Sequence, residues 1–300
     1  MIENKFLEAK VPKNKNFLYY LFGSLLIILS NFFGQIPLFL ILNNQISEVG
    51  DLSSIFSILD KNLSFFLILF PFSVSFISFI IIIKLIHNQS LINLTTSRKS
   101  IDYKRVIFSF LFWSSVILIL FFTSYFLEPD GYVFNFKLVP FLTLFFISVI
   151  FIPFQASLEE YIFRGYLMQG FFQIFKNRFV PLFLTSFIFG FLHFFNPEVE
   201  KLGYGIMIYY VMTGLFFGII TLLDEGIEIP IGLHVANNLI TALLVTADWT
   251  ALQTESVFID VNEPDLIKEL ITYLMIVYPL TLLFFSKKYK WKNWKIKILN

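Results

Sequence analysis

The chain has 300 residues, 57% of them hydrophobic and only 14% charged, with a formal net charge of +1. Soluble domains carry about 45–50% apolar and about 25% charged residues, so an ordinary soluble fold is excluded, and 42 Phe with 13 Tyr exclude a disordered chain. The absence of cysteine excludes a disulfide scaffold, a thiol nucleophile and a thiolate metal site, and the near-neutral charge offers no field for nucleic acid.

What remains is an all-α, polytopic transmembrane helical bundle. A spanning helix needs about 20 mostly apolar residues to cross a hydrocarbon core about 30 Å thick. Runs of that kind predict about eight spanning helices, at 17–42, 63–86, 106–127, 138–158, 179–195, 204–223, 232–247 and 267–285. In lipid an unpaired backbone group is costly, so the many Phe and β-branched residues are read as helix and not as strand. The first run follows a polar stretch carrying Lys5, Lys10, Lys13 and Lys15, without a small-residue cleavage site, and is read as a retained helix.

Loop charge sets the expected orientation. The N-terminal stretch, the 87–105 loop (Arg98, Lys99, Lys104, Arg105), Lys176 with Arg178, and the tail from Lys287 to Lys297 are basic. The 43–62 loop, with Glu48, Asp51 and Asp60 against Lys61, and the 248–266 loop, with Asp248, Glu255, Asp260, Glu263 and Asp265, are acidic. This alternation places both termini in the cytoplasm. The 224–231 loop, with Asp224, Glu225 and Glu228, is acidic where parity makes it cytoplasmic, but acidic residues count little in this rule. Without a linker or repeat, residues 1–300 form a single integral membrane domain. Trp291 and Trp294 among the tail lysines read as an ordinary interfacial tail.

An ionisable group inside a spanning helix costs about 2.5–3.5 kcal/mol on insertion scales, so the polar residues that break apolar runs carry the most information. Glu159, Glu160 and Arg164 follow the run 138–156. On a helix Glu160 and Arg164 are i,i+4 neighbours that can pair, while Glu159 points about 100° away and stays free. His193 lies in a Phe-rich run, and Pro230 and Gly232 suit the start of a helix on which His234 and Asn238 share a face. Each taken alone is equally a structural feature: a Glu–Arg pair at a helix end, a histidine bonded to a carbonyl, polar glue between helices. Together they supply a carboxylate base, two imidazoles and an amide donor, the groups that water-mediated acyl hydrolysis requires. His87 reads as interfacial, and Gly214 with Gly218 as a close helix contact. There is no H-E-x-x-H, no G-x-S-x-G and no phosphate-binding loop, so no nucleotide is expected.

In these residues the sequence resembles the CPBP family, the CAAX-protease and bacteriocin-processing (Abi) intramembrane proteases. The resemblance rests on Glu159-Glu160-Tyr-Ile-Phe-Arg164, Phe189-Gly-Phe-Leu-His193 and His234-Val-Ala-Asn-Asn238, in that order within about 138–247. It implies an intramembrane endopeptidase, a hydrolase acting on a membrane-embedded or lipidated peptide or protein. Glu159 would be general base on water, His193 would help bind that water, and His234 and Asn238 would stabilise the oxyanion. Glu160 and Arg164 would support them. The family has been called both glutamic protease and metalloprotease. A metal-free site is expected here; if a divalent metal such as zinc were bound, Glu159, His193 and His234 would be its ligands. The implied place is a cell membrane, and the Phe-, Ile-, Lys- and Asn-rich composition fits an AT-rich bacterial genome. The competing reading is a non-catalytic protein on the same scaffold: a membrane scaffold, a peptide-toxin immunity protein or a carrier. One depth mismatch is expected. A span starting at 232 leaves His234 nearer the cytoplasmic surface than Glu160 or His193, which tilted, broken or re-entrant helices would have to reconcile.

Overall fold

The computed structural model describes residues 5–8, 16–43 and 55–299. Lys10, Lys13, Lys15, Glu48 and Asp51, on which part of the charge reading rests, lie outside the described residues. All eight apolar runs are helical. We number them α1 (Phe17–Leu42, interrupted at Gln35), α2 (Lys61–His87), α3 (Tyr103–Leu127), α4 (Leu138–Phe175), α5 (Phe179–Phe191), α6 (Ile206–Asp224), α7 (Glu228–Leu244) and α8 (Leu266–Tyr289). Six of these, all but α5 and α7, are long and apolar enough to cross a membrane.

Local chemistry explains the boundaries. Asp60, Asp102 and Asp265 each accept two backbone N–H bonds at the starts of α2, α3 and α8, satisfying donors that a helix start leaves orphaned. Asn88, Lys176, Glu225 and Lys290 end α2, α4, α6 and α8 in the left-handed conformation, the usual way a helix is stopped. Expected boundaries are corrected: the run read to 195 stops at Phe191 and that read to 247 stops at Leu244. The run taken to end at 158 continues to Phe175 through a π-helical turn at Tyr161–Leu167. The last motif helix starts at Glu228, ahead of the expected 232, because Ile231 N already bonds Ile227 O.

Helix α7 packs on α3 and α4, α5 on α6, and α1 on α2, which in turn packs on α4. The Gly214 contact is as read: a Cβ there would stand 2.8 Å from Ser186 Cα on α5. Gly214→Val should therefore lower stability by about 1–3 kcal/mol, the usual cost of overpacking, measurable by thermal unfolding in detergent. His87 closes α2 but does not face the loop. It is fully buried, and its Nε2 lies 2.8 Å from the Tyr166 hydroxyl on α4.

The bundle has two chemically distinct ends. At one, Ile227 N bonds Thr95 O, Ser97 N bonds Glu225 O, Arg178 donates to Ile296 O and Gln169 donates to Phe6 O. The described N-terminal residues, the basic loops and the C-terminal tail therefore meet on one side. The acidic 224–228 turn lies there too, paired with its basic neighbours: Arg98 and Arg105 on Asp224, Arg98 on Glu228 and Lys297 on Glu225. At the other end a small sheet, order β1-β3-β2, joins Tyr132–Phe134, Phe258–Asp260 and Val245–Thr246. β1 pairs with β3 antiparallel and β2 with β3 parallel. This sheet sits directly after α7, the helix that carries His234 and Asn238.

Candidate active site

The site is assembled by α4, α5, α6 and α7 around one buried carboxylate. Glu160 and Arg164, one turn apart on α4, are both fully buried and form an ion pair of 3.0 Å. Helix α7 brings His234 Nδ1 to 2.8 Å from the same Glu160 oxygen. A carboxylate oxygen only accepts in such a contact, so Nδ1 carries the ring proton. The other ring nitrogen faces Glu159 Oε2 at 3.7 Å, beyond hydrogen-bond range.

Two aromatic residues hold these charges apart from lipid. Arg164 Cζ lies 4.5 Å from the Phe189 ring centroid, and the His234 ring stacks on Phe217 at 5.4 Å. Arg164 also donates to the carbonyl of Gly214 at 3.2 Å, so the close α5–α6 contact also positions an acceptor for the buried guanidinium. The π-helical turn that follows Glu160 belongs to a class of local distortion frequent at functional sites.

Glu159 is the exposed member of the pair, with 17% of its side chain accessible. Its Oε1 accepts from Gln155 Nε2 at 2.5 Å, and Gln155 Oε1 accepts from Asn238 Nδ2 at 2.8 Å. Asn237 Nδ2 donates to Asn238 Oδ1 at 3.2 Å, and Trp113 of α3 donates to Asn237 Oδ1 at 3.1 Å. This polar chain has two hydrogen-bonded stretches, Arg164–Glu160–His234 and Glu159–Gln155–Asn238–Asn237–Trp113, which face each other across the 3.7 Å between His234 and Glu159. Asn238 keeps a second amide hydrogen beyond the one given to Gln155.

His193 is placed differently. It lies in the turn just beyond α5, with Nδ1 2.8 Å from Phe189 O. The carbonyl fixes the proton on Nδ1 and leaves Nε2 as the basic nitrogen of the neutral ring. Its ring stacks on Tyr210 at 4.4 Å. Phe189 packs against both imidazoles, 4.8 Å from His193 and 6.4 Å from His234. The structure therefore joins Glu159, Glu160, Arg164, His234 and Asn238 by polar contacts and connects His193 to them through the Phe189 ring.

With 13 residues, α5 spans only about 20 Å and stops at Phe191, leaving His193 in the turn that follows. Within a bilayer, such non-helical backbone is tolerated only inside protein or beside a water-filled space. As for a metal, Glu159, His193 and His234 are not grouped as ligands: among the described residues no set of three or more His, Asp or Glu side chains is placed to hold an ion.

Gln155, Asn237 and Trp113 were not among the expected site residues. Gln155 was detectable, since it is an amide inside an otherwise apolar run, one helical turn before Glu159. Asn237 and Trp113 become partners only through helix packing. Next to His193, Glu198 accepts from Ala251 N at 2.9 Å. Burial pushes its carboxyl above the ordinary value of 4.5, against the Ala251 N–H and His193, which pull it down. A carboxyl raised on folding favours the folded state at low pH, and this advantage is lost as pH rises through the raised value. Glu198→Gln, which keeps the acceptor for Ala251, should therefore remove that loss and make unfolding temperature less dependent on pH above about 4.5.

Residues 135–240 match the family model Rce1-like, type II CAAX prenyl endopeptidase. The resemblance to the CPBP family is borne out over this stretch. It contains α4 from its start, all of α5 and α6, and α7 as far as Ile240, so every residue of the polar chain except Trp113 lies inside it. The chain is also 32% identical over 155 residues to the protein YyaK of Bacillus subtilis (strain 168), described as uncharacterized, across 50% of this chain and 51% of that protein. It thus spans about half the length of the curated relative it matches. No solved structure matches it.

Proposed function

We propose that the protein is an intramembrane endopeptidase that hydrolyses a peptide bond in a membrane-embedded or lipidated peptide. The observation that carries this reading is the unequal pair on α4: Glu160 buried and committed to Arg164 and His234, Glu159 partly open beside them. Glu159 takes a proton from water as the water attacks the carbonyl, and His193 Nε2 orients that water. Asn238 offers its second amide hydrogen to the oxyanion, and as the tetrahedral intermediate collapses the C–N bond breaks while the protonated Glu159, or a histidine, gives its proton to the leaving amine. Since His234 Nδ1–H is given to Glu160, His234 can donate to the oxyanion from Nε2 only as an imidazolium, and Glu160 is the counter-ion that would sustain it. A bound metal is not used in any step. In this reading residues 1–300 are one domain in a bacterial cell membrane, the loop charges supporting cytoplasmic termini and the Phe-, Ile-, Lys- and Asn-rich composition a bacterial source.

The test uses protein reconstituted in liposomes with peptides carrying or lacking a prenyl group, followed by mass spectrometry of the products. His193→Ala, His234→Ala and Asn238→Ala should each lower turnover, Asn238→Ala by about 10²–10³-fold, the usual loss of one oxyanion donor. Unchanged turnover in all three variants would reject the reading.

A further inference from the structure

At the end of the bundle where the termini meet, a cavity of about 250 Å³ lies between the 98–105 segment, the end of α6 and the tail after α8. Its charged lining is Arg98, Arg105, Lys290, Lys292 and Lys297 against one carboxylate, Asp224. We propose that this cavity binds the phosphate of an anionic phospholipid headgroup, a role separate from the peptidase site.

The two arginines are pre-oriented. Asp224, 2% exposed, accepts from Arg98, from Arg105 and from Trp291 Nε1. Glu228, also buried, takes Arg98 as well, and the Arg105 guanidinium lies 3.9 Å over the Tyr289 ring. Fixed guanidiniums of this kind suit phosphate oxygens, because no side-chain freedom is left to lose on binding. The buried carboxylates offset much of the arginine charge, and Lys297 is paired with Glu225. Lys290 and Lys292 have no ion pair among the described residues and supply the excess positive charge. The tail reaches the cavity by an unusual path, with Lys290 and Asn293 both in the left-handed region, at φ 55° and 58°. For residues other than glycine that conformation costs about 1 kcal/mol each, so packing holds this turn in place.

A lipid fits better than free phosphate because of what adjoins the cavity. Helices α3 and α8 end there, and their outward faces carry exposed Ile107, Leu280, Leu283 and Phe284. Acyl chains could run along that surface while the phosphate sits among the cations. Lys288, with Nζ 3.6 Å from the Phe108 ring centroid, extends the positive charge to the boundary of that apolar face.

The full chain, delipidated in detergent, is titrated with phosphatidylglycerol or phosphatidylcholine and read by native mass spectrometry. Phosphatidylglycerol should bind at least about tenfold more tightly, and Lys290→Gln/Lys292→Gln should remove about that factor, two headgroup-facing lysines being worth this much. Lys287→Gln/Lys295→Gln, on the same tail but outside the cavity, should leave it unchanged. Equal losses in both double variants, or no preference for phosphatidylglycerol, would overturn the proposal. Displacement of the lipid by millimolar inorganic phosphate would assign the cavity to free phosphate and overturn it as well.

Discussion

Glu159→Gln should cut peptide-bond hydrolysis by about 10²–10⁴-fold, the usual contribution of a positioned general base, and leave the unfolding temperature nearly unchanged. The two parts of this expectation come from one geometry. Glutamine retains the oxygen that accepts from Gln155, so the chain to Asn238 survives. With 17% of its side chain accessible, the group is not a buried charge whose loss would unbalance the core. What the amide lacks is basicity. The same change at Glu160 should behave differently. Glu160→Gln removes the charge opposite Arg164 and the anchor of His234, so stability and turnover should fall together. Parallel measurement of turnover and unfolding for the two variants separates the roles. If Glu159→Gln hydrolyses peptide normally while Glu160→Gln is folded and inert, the assignment of the base is reversed.

Arg164→Met should destabilise the protein by about 3–5 kcal/mol, because it leaves Glu160 buried without its cation. The environment gives the carboxylate little alternative. Both side chains are fully inaccessible, and the aromatic rings of Phe189, Phe217 and Phe163 surround the guanidinium. A second substitution, Glu160→Leu, should recover much of the loss, since replacing a whole buried pair by apolar groups is often neutral. A double-mutant cycle by thermal unfolding checks this. Additive losses from the two single changes would mean that the pair contributes no coupling energy.

Much of the fold was legible because lipid simplifies the code: every predicted apolar run is a helix. The boundary at 158 failed for a specific reason. Glu159, Glu160 and Arg164 look like the charged end of a span when read along the chain, yet Glu160 and Arg164 neutralise each other and α4 continues. His87 misled in the same way, since a histidine near a polar loop looks exposed until Tyr166 is packed against it. The Glu160–Arg164 pair was legible from its four-residue spacing. The bond from His234 to Glu160 was not, because 74 residues separate them and only the packing of α7 on α4 makes them neighbours. The acidic 224–228 turn, anomalous as a loop charge, is explained by Arg98, Arg105 and Lys297, partners that no local pattern reveals.

The shortness of α5 and α7 has a consequence for the surrounding lipid. Helices of 13 and 17 residues reach about 20 and 26 Å, against a hydrocarbon core of about 30 Å. Helix α7 is enclosed by its neighbours apart from Thr241, but α5 exposes Phe179, Phe183 and Phe187, and along that face a thinner bilayer matches it best, mismatch costing fractions of a kcal/mol per ångström. A peptide drifting toward that side would find its polar backbone closer to water than beside the longer helices. Acyl-chain length would then act as a control on how readily a peptide reaches Glu159, with thicker membranes raising the barrier without altering a single residue.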